Sequence, residues 1–259
     1  MHGPVLSYIE HKCMECRACE AACAQNVHCF ENGSHQIRRD QCISCGKCVA
    51  ACATGALECI GREYSVDEVV EAAARDRLFY RAGGGVTLTG GEPLAQGRFA
   101  IAVARALHEK GIGVCVETSG YADPQVIREI LPYIDLFLFD IKETDDDRHR
   151  RYTGVGLAKI HENLRLMDQL GARIILRCPV IPGVNDRKAH FDSIADLAHS
   201  LAGLVEINIE PYHPMGIEKN RRIGETAAYS NEAFMEKTQA ECWREYLAGK
   251  TQVPVLVMG

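Results

Sequence analysis

No run of eighteen apolar residues occurs in the 259-residue chain, so no helix able to cross a bilayer is read in it. Positive charge is not in excess. The formal net charge is −6, which gives no electrostatic footprint for nucleic acid or an anionic membrane. Met1-His2-Gly3-Pro4 has no basic stretch leading into an apolar core, so no export signal is read there. A phosphate-binding G-x4-G-K-[ST] loop is missing, and Gly154-Val155-Gly156 lacks the third glycine of a dinucleotide fingerprint. What remains is globular: 47% hydrophobic and 25% charged, enough for one substantial core and a small appended module.

Cysteine, by contrast, is abundant. Thirteen cysteines without an export signal imply a reducing interior, and the cytoplasm is the expected location. Cys13, Cys16, Cys19 and Cys23 are spaced C-x2-C-x2-C-x3-C, and Cys42, Cys45, Cys48 and Cys52 repeat the spacing at an offset of 29. Ala21-Ala22 recurs as Ala50-Ala51, so the copy extends beyond the sulfurs and marks an internal duplication. One zinc fits three cysteines within seven residues poorly. A secreted disulfide framework needs an export signal and usually a shorter chain.

The two runs resemble those of a two-cluster bacterial ferredoxin, in which the fourth cysteine of each run crosses to the other [4Fe–4S] cube. That resemblance assigns Cys13, Cys16, Cys19 and Cys52 to one cluster and Cys42, Cys45, Cys48 and Cys23 to the other, and its low-potential clusters suggest an anaerobic setting. Ala24 and Ala53 replace the proline usual after the fourth cysteine, which bears on turn rigidity more than on ligation. Cys29 and Cys59 read as small buried hydrophobes, and the isolated Cys115, Cys178 and Cys242 as packed thiols.

Ten of the thirteen cysteines precede Gly61, which divides the chain into a cysteine-rich module, 1–61, and an α/β portion, 62–259. Ser65-Val66-Asp67-Glu68 is a capping box that opens a helix to about Arg77. Beyond Gly83-Gly84-Gly85, strand-like runs at Val86–Thr89, Ile112–Glu117, Ile134–Ile141, Ile174–Val180 and Leu204–Ile209 alternate with helical stripes. Phe99, Val103 and Leu107 form one stripe, stopped by Gly111. Asp123-Pro124 starts the next helix. Leu157, Ile160, Leu164 and Met167 end at Gly171, and Phe191, Ile194, Leu197 and Leu201 end at Gly203. Such alternation predicts parallel strands with right-handed crossovers, in a barrel or a doubly wound sheet. Asp145-Asp146-Asp147 with Arg148, Arg150 and Arg151 reads as a solvated helix start, acids first and bases beyond.

The five strands end on Thr89-Gly90-Gly91-Glu92-Pro93, Glu117-Thr118-Ser119-Gly120, Asp140-Ile141-Lys142, Arg177-Cys178-Pro179 and Pro211-Tyr212-His213-Pro214. Parallel α/β folds bind ligands at the carboxyl ends of strands, so these segments are predicted to converge on one rim. The chemistry suits a zwitterionic, cationic ligand. Gly90-Gly91 lets backbone approach closely, Glu92, Glu117 and Asp140 accept from ammonium or hydroxyl groups, and Lys142 and Arg177 answer a carboxylate.

These segments, with Gly83 to Pro93, Glu117 to Tyr121, Asp140 to Lys142, Val180 to Asp186 and Pro211 to His213, resemble the glycyl-radical enzyme activating enzymes of the radical S-adenosylmethionine superfamily. The resemblance implies a partial (β/α)6 TIM-like barrel lacking its first strand, with a ferredoxin-like two-cluster module. It implies S-adenosylmethionine on the rim. Gly90, Gly91 and Glu92, followed by Pro93, would meet the methionine amino group, while Asp140, Ile141, Lys142, Arg177 and His213 would line the rest. Glu117 and Thr118 match a position where the resemblance implies a monovalent cation, and Ser119 follows them in the cofactor-binding segment. It further implies a monomer that takes electrons from a flavodoxin- or ferredoxin-type donor and acts on a partner glycyl-radical enzyme.

The family's catalytic cluster, a third [4Fe–4S], rests on C-x3-C-x2-C, and that spacing is absent. Asn26 and Gly55 stand where the third cysteine would follow Cys23 and Cys52. In the family the missing motif precedes the segment resembling Val5 to Cys13, so an N-terminal truncation or late start codon is expected, with the third cluster in the full-length protein. A barrel without its first strand should expose an edge beside Val86. Two other readings stand beside the activase: an electron-transfer module on an inactive scaffold, and an enzyme of the same superfamily acting on a small molecule.

Overall fold

The computed structural model describes residues 3–80, 83–226 and 229–258, in two compact units. The first comprises the chain up to Tyr64 together with His213–Ala233, and the second comprises Ser65–Tyr212 with the chain from Phe234 onward. The sequence places one boundary near residue 61. The structure adds a return segment, His213–Ala233, that packs with the cysteine-rich unit.

The first unit contains β1 (Val5–Tyr8), α1 (Ala18–Ala22), β2 (His28–Glu31), β3 (Ser34–Ile37), α2 (Lys47–Ala51) and β4 (Leu57–Ile60). β1 pairs with β4 and β2 with β3, both antiparallel. Its small core is Leu6, Leu57 and the buried Cys19 and Cys48.

The second unit follows as α3 (Val66–Arg75), β5 (Gly85–Leu88), α4 (Gly97–Glu109), β6 (Gly113–Thr118), α5 (Pro124–Ile130), β7 (Leu136–Asp140), α6 (Asp146–Thr153), α7 (Ala158–Gln169), β8 (Ile174–Val180), α8 (Lys188–His199) and β9 (Leu204–Pro211). After α9 (Met215–Ile223) in the return segment come α10 (Lys237–Ala248) and β10 (Val255–Val257). Six parallel strands run in the order β10-β9-β8-β7-β6-β5. This is the open parallel sheet of a partial α/β barrel. β5 pairs only with β6 among the described residues, so it is the free edge expected beside Val86. The sixth strand, β10, was not foreseen: three residues are too short for a periodicity.

Local signals explain the helix ends. Ser65 and Glu68 form the reciprocal capping box. Asp123 accepts from the Gln125 amide with Pro124 in the first turn, and Asp145 caps the acid-first α6. Gly203 does not stop a helix. α8 ends at His199, and Gly203 is instead a close backbone approach, where a Cβ would lie 2.1 Å from the Ala172 oxygen.

Gly85 has the same role at the sheet edge. It pairs with Gly113, and a Cβ would fall 2.1 Å from the Gly113 oxygen. Backbone cannot yield as a side chain does, so Gly85→Ala is expected to cost about 2 kcal/mol and to lower the midpoint of thermal unfolding by about 4–8 °C. An unchanged melting curve would show that β5 shifts freely.

The sheet's two faces differ. Val114, Val116, Phe137, Phe139, Ile174, Leu176 and Cys178 are buried in the main core on one face. The alternate positions, Cys115, Glu117, Leu138, Asp140, Ile175, Arg177 and Pro179, are only half-buried. Strand alternation therefore puts Glu117, Asp140 and Arg177 on a common, open face.

Candidate functional site

In the first unit the duplication is one of backbone. A shift of 29 residues carries β1 to β3, α1 to α2 and β2 to β4. The pairs Val5↔Ile60 to Tyr8↔Leu57 become Ser34↔Glu31 to Ile37↔His28. The left-handed residues repeat as well, Glu15 with Ser44, Arg17 with Gly46 and Asn26 with Gly55.

Cys42, Cys45, Cys48 and Cys23 line a cavity of about 130 Å³. Cys13, Cys16, Cys19 and Cys52 line a smaller one. The same shift maps every lining residue of the smaller cavity onto one of the larger. In each, the fourth cysteine of one run joins the first three of the other, the crossed grouping that the ferredoxin resemblance implies. Burial pushes the Cys19 thiol up to about 11, with Cys13 and Cys16 adding to the effect. Burial also raises Cys48, with Cys23 and Cys42 contributing. Thiols held together against burial and mutual repulsion suit a cationic iron centre, which removes both penalties.

Aromatic and imidazole rings surround the first site. His35 lies 3.9 Å from Cys13 Sγ through Nδ1 and 3.8 Å from Cys19 Sγ through Nε2, and that Nε2 is 2.9 Å from His28 Nδ1. Cys19, His28 and His35 form a buried group whose ligand atoms all lie within 4.8 Å of one another. Burial lowers both histidine pKa values, that of His35 to about 4. Sequence reasoning passed over both. The signal was available, because His28 and His35 stand where the duplicate carries Leu57 and Leu6.

Cys29 is half-buried rather than buried, and Cys59 is exposed, lining the larger cavity. Cys59 sits on β4, whose last three residues all face outward. Of the isolated thiols, Cys178 is buried and Cys115 half-buried, but Cys242 is exposed on α10.

In the second unit, Gly90 takes φ of 140°, which lets the chain turn out of β5. Glu92 closes that turn. Its carboxylate accepts from the Leu94 amide (3.1 Å), Thr118 Oγ1 (2.7 Å), the Ser119 amide (2.9 Å) and Ser119 Oγ (2.6 Å). Four donors fill the acceptor capacity of a carboxylate. Glu92 therefore ties the Gly90-Gly91 turn to the end of β6, and Pro93 begins the short helical turn after it.

Arg177 spans the open face. Its Nη1 is 2.7 Å from Glu117 Oε2 and its Nε donates to Glu210 Oε1 at 2.8 Å. Burial alone would lower the Arg177 pKa, but Glu210, Glu117 and Asp140 outweigh it and raise it. Asp140 is 3.2 Å from Lys142 Nζ, and burial raises its pKa while Lys142 and Arg177 oppose the rise. Ile141 is buried behind it. Glu210 escaped the sequence reading, since it shares a segment with Pro211-Tyr212 but lacks a motif of its own. His213 belongs to the first unit, whereas the other rim residues belong to the second.

Beneath the rim, the buried Glu143 gathers Arg148 (3.2 Å), both Nη atoms of Arg187 and the amides of Thr144 and Asp145. Asn185, also buried, donates to the Lys142 and Pro179 oxygens and accepts from the Ile181 amide. Together they lock the ends of β7 and β8, which carry Asp140, Lys142 and Arg177.

The structure is a partial α/β barrel with charged residues gathered at its strand ends, in a chain that also carries a duplicated cysteine unit. A family model described as the radical SAM superfamily matches residues 45–198. The isethionate sulfite-lyase activating enzyme of Nitratidesulfovibrio vulgaris is 41% identical over 169 residues, covering 64% of this chain and 54% of that protein. The (2S)-3-sulfopropanediol dehydratase activating enzyme of Klebsiella oxytoca is 38% identical over 215 residues, covering 81% and 68%. A crystal structure of a domain of pyruvate-formate lyase-activating enzyme from Bacteroides vulgatus aligns with a TM-score of 0.57 at 25% identity, over 68% of this chain and all of that one. The chain thus belongs to the radical S-adenosylmethionine superfamily, among its glycyl-radical enzyme activating enzymes. The match spans about half the length of the first of these relatives.

Proposed function

We propose that the protein generates a glycyl radical on a partner glycyl-radical enzyme by reductive cleavage of S-adenosylmethionine. The observation that carries this reading is the Glu117–Arg177–Glu210 network beside Asp140 and Lys142, set at strand ends in a chain similar to named activating enzymes. Arg177 and Lys142 would answer the methionine carboxylate. Because the Glu92 carboxylate is saturated, the backbone of Gly90 and Gly91 would receive the amino group. Asp140 and Glu117 would take hydroxyl groups. When bound and reduced, the cofactor supplies the radical that removes a hydrogen atom from the partner's glycine. The crossed thiolate sets of the module, 1–61, would hold two [4Fe–4S] clusters that pass electrons from a flavodoxin- or ferredoxin-type donor toward the barrel, 62–259. The setting would be anaerobic and cytoplasmic, and the protein a monomer.

A second reading, an electron-transfer module on an inactive scaffold, is favoured by one observation: the thirteen cysteines include no C-x3-C-x2-C. Anaerobic protein from its own cells, mixed with reductant, S-adenosylmethionine and the glycyl-radical enzyme, separates the two. The activase is expected to yield 5′-deoxyadenosine and a glycyl signal in electron paramagnetic resonance (EPR). Neither product from protein carrying about eight irons would leave the electron-transfer module.

A further inference from the structure

The two halves of the cysteine unit share a backbone, so differences between their cavities are differences of side chain alone. Four lining pairs matter most. Arg17 and Ala18 at the first site correspond to Gly46 and Lys47 at the second, so each cavity has one cation in its wall. Phe30 corresponds to Cys59 and His35 to Leu6. These last two pairs are directly opposed in their ladders, Phe30↔His35 in one half and Leu6↔Cys59 in the other.

The charges are matched, but the hydrogen-bond donors are not. His35 places Nδ1 3.9 Å from Cys13 Sγ and Nε2 3.8 Å from Cys19 Sγ. Tyr8 lies beside Cys13, and its counterpart in the second half is Ile37. The ring of His35 is held in place, stacked on Phe30 at 4.5 Å and edge-on to Tyr8 at 4.8 Å. Leu6 and Ile37 offer the second site no donor.

The tautomer follows from the neighbours. An iron-bound thiolate has lone pairs and no proton, so it only accepts. His35 then donates from Nδ1 to Cys13, its Nε2 accepts from His28 Nδ1, and the remaining proton-free nitrogen is His28 Nε2. That atom is buried and has no hydrogen-bond partner among the described residues. The opposite tautomer would strand an N–H there and turn a lone pair of His35 toward the Cys13 thiolate. With one proton on each ring, the pair presents one outward N–H, at His35 Nδ1, and it serves the first site.

We propose that His35, oriented by His28 and packed against Tyr8, makes the two cluster sites inequivalent: donation from its Nδ1 to the Cys13 thiolate sets the Cys13/Cys16/Cys19/Cys52 site at the higher reduction potential. Donors to cluster sulfur offset the added negative charge of the reduced state, which raises the potential. A single electron shared between the sites rests on the first, and the second, walled by Leu6, passes it on. His35 is a positioning and tuning residue. The inference rests on the two-cluster reading proposed above.

The duplication supplies its own test, because each half already carries the substitution needed in the other. The iron-loaded protein, His35→Leu and Leu6→His are titrated with reductant and followed by EPR, after iron is counted. With about eight irons per chain, two midpoints are expected. His35→Leu lowers the higher midpoint by about 59 mV or more, a tenfold change in the oxidised-to-reduced ratio for one electron, and leaves the lower unmoved. Leu6→His raises the lower midpoint and leaves the higher unmoved. Iron near four in the unsubstituted protein would overturn the two-cluster reading itself. Eight irons with midpoints that ignore both substitutions, or that move together in each, would overturn the role of His35 alone. If His35→Leu loses iron, Leu6→His decides: a raised lower midpoint supports the proposal and an unchanged one sinks it.

Discussion

Replacing Arg177 by leucine is expected to weaken S-adenosylmethionine binding about 100-fold. Hydrogen bonds to charged groups contribute about 1.5–3 kcal/mol each, and about 2.7 kcal/mol is a factor of 100. Arg177 already holds Glu117 and Glu210 at 2.7 and 2.8 Å and helps oppose the raised pKa of Asp140. Without the guanidinium, the half-buried carboxylates of Glu117, Asp140 and Glu210 remain, with Lys142 paired to Asp140. The ligand's carboxylate would then meet net negative charge rather than a bidentate donor. Equilibrium dialysis of the iron-loaded protein against labelled S-adenosylmethionine measures this. Unchanged affinity would remove Arg177 from the ligand site. Arg177→Lys should retain part of the affinity, since it keeps the charge and loses the planar fork.

Glu143→Ala is expected to destabilise the second unit by about 3–5 kcal/mol, the usual cost of removing one partner from a buried ionic cluster. The Glu143 side chain is 3% exposed and receives Arg148, Arg187 and two backbone amides. Burial works to raise its pKa, yet hydrogen bonds from His190, Arg187 and the Asp145 and Thr144 amides hold it well below the usual carboxylate range. A folded-state pKa below the unfolded one gives stability that is present above the unfolded value, about 4.3 for glutamate, and that fades as pH falls through the folded value. The unsubstituted protein should therefore lose stability on acidification below about pH 4, and Glu143→Ala should show a shallower loss there. Urea unfolding at pH 7 and at pH 3 checks both expectations. Equal slopes with pH in the two proteins would show that Glu143 is not the group that titrates.

Much of the fold was written locally. The capping box at Ser65 and Glu68, the Asp123-Pro124 start and the Ile174–Val180 strand depend on neighbours a few residues away, and each formed as read. β10 and the return of His213–Ala233 to the first unit depend on distant packing, which no local periodicity encodes. The site divides the same way. The two cysteine runs were legible because spacing and duplication are features of sequence, and their crossing came only with the ferredoxin resemblance, whereas Glu210 and Glu143 became visible only when cross-strand register and burial were known. Cys59 and Cys242 were misjudged because burial prior alone cannot tell which side of a strand or helix faces out.

The central claim is that one duplicated backbone builds two cluster sites with crossed fourth ligands. Iron and acid-labile sulfide per chain, measured after anaerobic reconstitution in the unsubstituted protein, Cys23→Ser and Cys52→Ser, test it most directly. About eight of each are expected in the first, with each serine variant weakening the site built on the other run's first three cysteines. Four irons or fewer in the unsubstituted protein, bound zinc in their place, or loss confined to a variant's own run would contradict it.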